Sequence, residues 1–472
     1  MSSYTISKKL NPKKVFILQK SELEKRFDPS WYVYLKSIEG FKQKSIPLKE
    51  LLISNPQYGA NEIGIERNSV SEPRYIRITD INEFGELKNE LGKTASNIEE
   101  KYFLEENDLL LARSGNTVGK SYLHKNIGYN CFFAGYMIRF KINILKVNPK
   151  YIFVFTQTTY YKNWINAVQR STGQPNINAE EYRNLKILLP NFSKQERIIN
   201  IYDSFLTKKK ENEEKSKNLL NSIDTYLLKE LGITLPEKEE NTLKSRMFTT
   251  SISELSGTRF DPYFNKAYFK NVQSAFENCS VDFSNIKSTL QYIKTGTTPH
   301  QKLNPFTENK EIVFLRNTNL KKYRIDLENT KYVKTEFNKE LTYSLKGEVI
   351  MCIAGTVGLS AINDINEPIS INQNVSALKF YENVINPNFA SYWFNTSIFI
   401  ELTKRACSVA TIHYLNNDNL KLLPIPIPPL EKQLEIAEHI SAIRKQAQDL
   451  KDQTKLLLEK ANKEIEDILL NT

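Results

Sequence analysis

Two rhythms of apolar residues alternate along this chain, and each predicts a different kind of element. Short runs such as Tyr75-Ile-Arg-Ile, Ile138-Arg-Phe-Lys-Ile and Val349-Ile-Met-Cys-Ile, punctuated by glycine and polar residues, predict strands joined by turns. Residues 149–170 and 387–405, each opened by an Asn-Pro pair, predict helices within those strand-rich stretches. The second rhythm is long and helical. It follows Pro424, Pro426, Pro428 and Pro429, which cannot continue a helix. Ile436, Ile440, Ile443, Ala447, Leu450, Thr454, Leu457, Ala461 and Ile468 then keep a 4-3-4-3 spacing, broken at Glu464. That is a coiled-coil seam on a rod of roughly 60 Å. Another long helix is expected over 193–231. Its ends are apolar (Ile198, Ile199, Tyr202, Phe205, then Leu219, Leu220, Ile223, Leu227), whereas Lys208–Lys217 reads as a solvated, charged face. Gly232 reads as its C-cap and the stretch from Leu235 as a linker.

The second half repeats the first at an offset of about 233 to 240 residues. Arg26-Phe-Asp-Pro returns as Arg259-Phe-Asp-Pro, and Val147-Asn-Pro-Lys-Tyr as Ile385-Asn-Pro-Asn-Phe. The block Arg74-Tyr-Ile-Arg-Ile-Thr returns around Arg316, pairing Arg77 with Arg316. Leu188-Leu-Pro-Asn-Phe-Ser-Lys-Gln195 returns as Pro426-Ile-Pro-Pro-Leu-Glu-Lys-Gln433. So long a period predicts a duplicated domain pair rather than a solenoid.

The fifth repeated block looks at first like nucleotide chemistry. Ser114-Gly-Asn-Thr-Val-Gly-Lys-Ser121 is one residue short of a phosphate-cradling P-loop, with Ser114 where the leading glycine belongs. Its counterpart, Ile353-Ala-Gly-Thr-Val-Gly-Leu-Ser360, has Leu359 in place of the lysine that would hold phosphates. Strand-like residues, not a helix, follow the first copy. Both copies therefore read as a tight turn between strands, with Gly115/Gly355 and Gly119/Gly358 at its bends.

Of the 472 residues 40% are hydrophobic and 25% charged, with no apolar run long enough for a membrane helix. The first residues lack the apolar core of a secretory signal, so a cytoplasmic location is expected. The net charge of +11 suits a polyanionic partner, nucleic acid first, and equally suits a merely basic protein. Cys131, Cys279, Cys352 and Cys407 form no C-x-x-C pair.

Two strand-rich units, each followed by a long helix opened by a proline–glutamine motif, resemble the specificity subunits (HsdS family) of Type I restriction–modification systems. The likeness covers essentially the whole chain. It rests on Pro424–Ile436 and Thr172-Gly-Gln-Pro-Asn-Ile177, with support from Arg74–Ile81, Tyr58-Gly-Ala-Asn61 and Gly296-Thr-Thr-Pro299. The resemblance implies an α+β fold with two tandem target recognition domains at 1–190 and 249–428, long spacer helices at 191–234 and 429–472, and a linker at 235–248. The helices would pair as an antiparallel coiled-coil spacer with pseudo-two-fold symmetry. It also implies partners: double-stranded DNA with a bipartite site, two modification methyltransferase subunits, and restriction/translocase subunits. One departure stands out: Ser408-Val-Ala-Thr-Ile-His-Tyr occupies the place of Thr172-Gly-Gln-Pro-Asn-Ile.

Arg and Lys suit guanine edges and phosphates, while Asn and Gln suit adenine edges. Candidate DNA contacts in the first unit are Arg67, Arg74, Arg77, Arg113, Lys120, Arg170, Gln174 and Asn176. In the second they are Arg316, Asn317, Lys321, Lys322, Arg324, His413 and Tyr414. Candidate helix-pairing positions are Ile198, Tyr202, Phe205, Leu219 and Ile223, facing Ile436, Ile440, Ile443, Leu450 and Leu457. Catalytic signals are missing. Asn55-Pro-Gln-Tyr58 lacks the second proline of a base-amino methyltransferase motif, neither Glu311-Ile-Val nor Glu336-Phe-Asn-Lys makes a nuclease carboxylate pair, and the histidines lack metal-ligand spacing. The expectation is a non-catalytic subunit without its own metal or cofactor, S-adenosylmethionine, ATP and Mg belonging to partner subunits. A recognition subunit of a double-cutting Type II system, a coiled-coil scaffold that reads no sequence, and an enzyme remain open alternatives.

Overall fold

The protein is described by a computed structural model over residues 11, 15–18, 20–23, 28–38, 45–169, 175–237, 242, 247–249, 251–252, 260–407 and 413–470. Arg26, Arg259, Arg170, the Thr172-Gly-Gln174 segment and residues 408–412 lie outside the described residues. Internal contacts divide the chain into two compact units: Met1–Asn212 with Asp452–Thr472, and Glu213–Lys451. No described helix is long and apolar enough to cross a membrane.

In the first unit the apolar run Asp108–Ala112 is a wholly buried strand. It pairs antiparallel with Met137–Lys141 on one side and Ser121–Leu123 on the other, and Gln57–Tyr58 completes the sheet beyond Met137–Lys141. A second sheet orders Ile65–Glu66, Lys93–Thr94, Arg74–Ile76 and Cys131–Phe133, its last pair parallel. The helix expected over 149–170 is two, Pro149–Phe155 and Thr159–Val168. Thr158 leaves the helical path and caps the new start, its side chain accepting from the Tyr161 N–H.

The second unit repeats this plan strand for strand. Leu290–Thr295, Val375–Phe380, Val349–Cys352 and Ser360–Ile362 form a sheet in the same order. Phe306–Thr307, Lys331–Val333, Ile312–Leu315 and Ile369–Ile371 form the other, again with a parallel final pair and with Thr342–Ser344 added at its edge. The stretch 387–405 also breaks in two, at the N-cap Thr396 between Pro387–Phe394 and Ser397–Ala406.

The repeated proline–glutamine motif has a physical explanation. Gln195 and Gln433 are almost completely buried at the starts of the long helices Phe192–Glu230 and Leu430–Leu470. The Gln195 carboxamide donates to Pro190 O and accepts from the Asn148 N–H, at 2.8 and 3.0 Å. Gln433 does the same with Pro428 O, Val384 O and the Asn386 N–H, at 2.8, 2.9 and 2.8 Å. Each glutamine thus clasps a long helix to the Asn-Pro helix of its own unit.

Within the first unit, Ile198, Tyr202 and Phe205 share a core with Ala461, Ile465 and Leu469. Arg197 lies 3.7 Å from Glu464, and Asn212 donates to Thr454 Oγ1 at 3.2 Å. Within the second, Ile223 and Leu227 share a core with Ile436, Ile440 and Ile443. There Ser216 donates to Ala447 O at 3.0 Å, and Lys432 pairs with Glu230 at 2.6 Å. Leu219, Leu450 and Leu457 are half-buried. Two expectations need correction. The charged stretch 208–217 is not wholly solvated: Lys209, Asn212 and Ser216 are buried at seam spacing. Beyond Glu464 the seam passes to Ile465 and Leu469, whereas Ile468 is half-buried.

Candidate nucleic-acid interface

The glycine turn lies between antiparallel strands in both units, and a strand follows it, as its residues predict. Gly119 and Gly358 hold φ of +85° and +89°, and a Cβ on either would come within 2.7 Å of Ile165 or 2.9 Å of Thr403. Only glycine combines that backbone with that closeness.

Each turn is stitched to the segment that follows the paired helices. In the first unit the Gly115 N–H donates to Pro175 O at 3.0 Å, the Ile177 N–H donates to Arg113 O at 2.8 Å, and Ser114 bridges Asn176. In the second, the Gly355 N–H donates to His413 O at 3.3 Å, the Leu415 N–H donates to Ile353 O at 2.9 Å, and Ala354 bridges Tyr414. Two sequence blocks about 60 residues apart become one surface feature, twice. Asn176, His413 and Tyr414 are exposed on it.

The arginines separate by environment. Arg67 is buried, and its guanidinium donates to Glu72 O, Leu91 O and Val70 O at 2.8, 2.9 and 2.7 Å over the Tyr129 ring. Arg74 is buried too, donating to Lys88 O and the Tyr129 hydroxyl at 3.1 and 3.3 Å. Both are corrected from DNA contacts to structural side chains, because their forks close loops of the unit itself. Arg77 and Arg316 open equivalent 3-10 turns. Arg77 is held by Asp80 at 2.8 Å, whereas Asn319 stands in the carboxylate's place and Arg316 reaches Asn329 O at 3.2 Å. Lys120 donates to Ile81 O at 2.5 Å, and burial lowers its pKa. Lys321, Lys322 and Arg324 are exposed; Lys321 donates to Thr318 O and Arg324 lies 3.7 Å from Asp326. Asn317 is half-buried beside the second turn, its Nδ2 3.2 Å from where a Gly355 Cβ would stand.

Arg113 differs from the other arginines in making no side-chain hydrogen bond or ion pair to a described residue, although Arg74 and Arg316 share its unpaired Nε. Its guanidinium carbon stands 4.8 Å from the centre of the Tyr58 ring, and its Nε is buried without a hydrogen-bond partner. A buried donor left unpaired costs about 1–3 kcal/mol. Tyr58 is fixed in turn, its hydroxyl accepting from the Ala179 N–H at 3.2 Å, and the Arg113 N–H donates to the carbonyl of Tyr136, which is 64% exposed. Tyr58 and Tyr136 escaped the sequence reading as site residues. The glycine that follows Tyr58 and recurs as Gly296 was the available signal.

Comparison with known proteins bears on what these turns serve. The family model described as Type I restriction modification DNA specificity domain matches residues 33–222 and 280–460. The chain belongs to that family. Each matched segment contains one of the stitched glycine turns. The specificity subunit of the Type I restriction enzyme MjaVIII of Methanocaldococcus jannaschii is 22% identical over 372 residues, which are 77% of this chain and 78% of that one. A chain solved in work on complex assembly and conformational transition of the type I R-M system has the same fold, with a TM-score of 0.50. That chain is 13% identical, and the match covers 90% of this chain and 96% of that one.

Proposed function

We propose that this specificity-family chain reads the two halves of a split double-stranded DNA site, one half with each strand-rich unit. The observation that carries this reading is the glycine turn stitched to a following segment, built twice on the same sheet plan and offering different exposed side chains each time. A repeated scaffold with unlike surfaces suits two unlike half-sites. The recognition domains are assigned to 1–190 and 249–428, with spacer helices at 191–234 and 429–472 and a linker at 235–248.

In this reading the long helices pair as an antiparallel coiled-coil spacer. The descending order of partners supports it: Glu464 then Thr454 against Arg197 then Asn212, and Ala447 then Lys432 against Ser216 then Glu230. The paired helices hold two modification methyltransferase subunits, which restriction/translocase subunits join in the cytoplasm. The chain itself performs no chemistry, and S-adenosylmethionine, ATP and Mg are bound by partners. The test is co-expression with the neighbouring modification subunit in a methylation-free host, followed by mapping of modified adenines. One split motif, methylated in each half and lost without this chain, is expected. A soluble complex that methylates nothing would favour a scaffold that reads no sequence.

A further inference from the structure

Of the arginines among the described residues, eight donate to a carbonyl, a hydroxyl or a carboxylate of the protein, and Arg197 and Arg324 each lie 3.7 Å from a carboxylate. They run from Arg67 and Arg74 in the first unit to Arg405 and Arg444 in the second. Arg113 is the exception: its Nε is buried without a partner, as are those of Arg74 and Arg316, but unlike theirs its other guanidinium nitrogens make no hydrogen bond or ion pair to a described residue either. Arginine carries five donors in a flat fork, and on half-buried Arg113 those without protein acceptors are open to water and to the acceptors of a ligand.

Its placement narrows the ligand. The guanidinium lies on the Tyr58 face, and the backbone around it is held by Tyr136 O, Pro175 and Ile177. The Tyr58 ring restricts where the guanidinium can point, which a point contact with phosphate does not require and a paired acceptor does. The second unit has nothing equivalent. Ile353 and Thr295 occupy the matching positions; Ile353 is fully buried, and Thr295 accepts from Asn417 at 2.8 Å. The fork therefore distinguishes the first unit from the second rather than serving their common fold.

We propose that Arg113 reads a guanine through its O6 and N7 acceptors in the half-site of the first unit, with Tyr58 as its positioning residue. This rests on the proposed reading of DNA by the chain. In a major groove those two atoms are the paired acceptors that match an arginine fork.

The test is a selection from a randomised duplex DNA library by the full chain with its co-expressed modification subunit, repeated for Arg113→Lys, Arg113→Gln and Tyr58→Leu. The two Arg113 variants should lose the preference for guanine at one position of one half-site by about 10- to 100-fold, with the rest of the motif intact. Tyr58→Leu should weaken the same position less. The other half-site is an internal control, since a first unit that failed to fold would lose its entire half rather than one position. An unchanged motif overturns the inference alone. Uniform weakening of all sequences, with a salt slope smaller by about one, would make Arg113 a phosphate contact and overturn it too. A wild-type complex that enriches no motif would overturn the reading of DNA itself.

Discussion

His124 donates its backbone N–H to Asp108 O at 2.9 Å and is almost completely buried, its Nδ1 3.1 Å from the Tyr122 hydroxyl. Burial pushes its pKa down to about 4 from an ordinary value near 6.5. The folded imidazole is thus neutral where the unfolded one takes up a proton. Its contribution is full above about pH 6.5 and falls as pH drops towards 4, a loss of up to about 3 kcal/mol. Urea unfolding at pH 7 and pH 4.5 should show that loss, and His124→Gln should flatten it. Equal stability of the wild type at both pH values would refute a neutral buried imidazole. The same scale explains why site residues were only partly legible. Arg67, Arg74 and Arg113 look alike in sequence, each beside a repeated block. What separates them is where carbonyls fall in space: Arg67 collects Val70, Glu72 and Leu91, and no local pattern announces that Leu91 will be there.

Elements read more clearly than single contacts, because apolar period and capping chemistry act locally. The strands around 75, 138 and 349 and both long helices stand where their patterns place them. The splits at Thr158 and Thr396 were missed because a threonine cap inside an apolar run is indistinguishable by period from a helical threonine. The polar centre of the mid-chain helix was misread for a related reason. Lys209, Asn212 and Ser216 keep seam spacing but not seam chemistry, and only their partners show why: Lys209 covers the Phe84 ring at 4.6 Å and Asn212 meets Thr454. A double-mutant cycle of Asn212→Ala and Thr454→Val should give a coupling of about 0.5–1 kcal/mol; additive losses would mean the bond contributes nothing. The glutamine clasps should matter more. Gln433→Ala leaves the Asn386 N–H and two carbonyls without their partner and should cost about 2–3 kcal/mol. Thermal unfolding would register this as a fall in Tm, and Gln433→Glu, whose buried carboxylate would face the two carbonyls, should recover none of it.

At the scale of the whole molecule, duplication was the most legible feature, because five blocks in the same order need no structure to be recognised. What each copy recognises was not legible, because the fold is carried by shared positions while the proposed choice of bases rests on unlike ones, such as Arg113 against Ile353 and Tyr58 against Thr295. That division of labour yields a prediction. Replacing residues 1–190 by the corresponding stretch of another member of the family should change one half of the methylated motif and leave the other half as it was. The constraint on such a chimera is the first core, where Tyr151, Phe153 and Ile187 pack with Ile198, Tyr202 and Phe205 of the retained helix. A donor whose residues at those positions differ in volume should lose a few kcal/mol and methylate weakly. It should still methylate the new half-motif, since the stitched turn lies on strands whose pairing stays within the exchanged stretch. Adenine mapping separates these results: weak methylation of a new half is a packing fault, whereas a change in both halves would show that the units do not read independently.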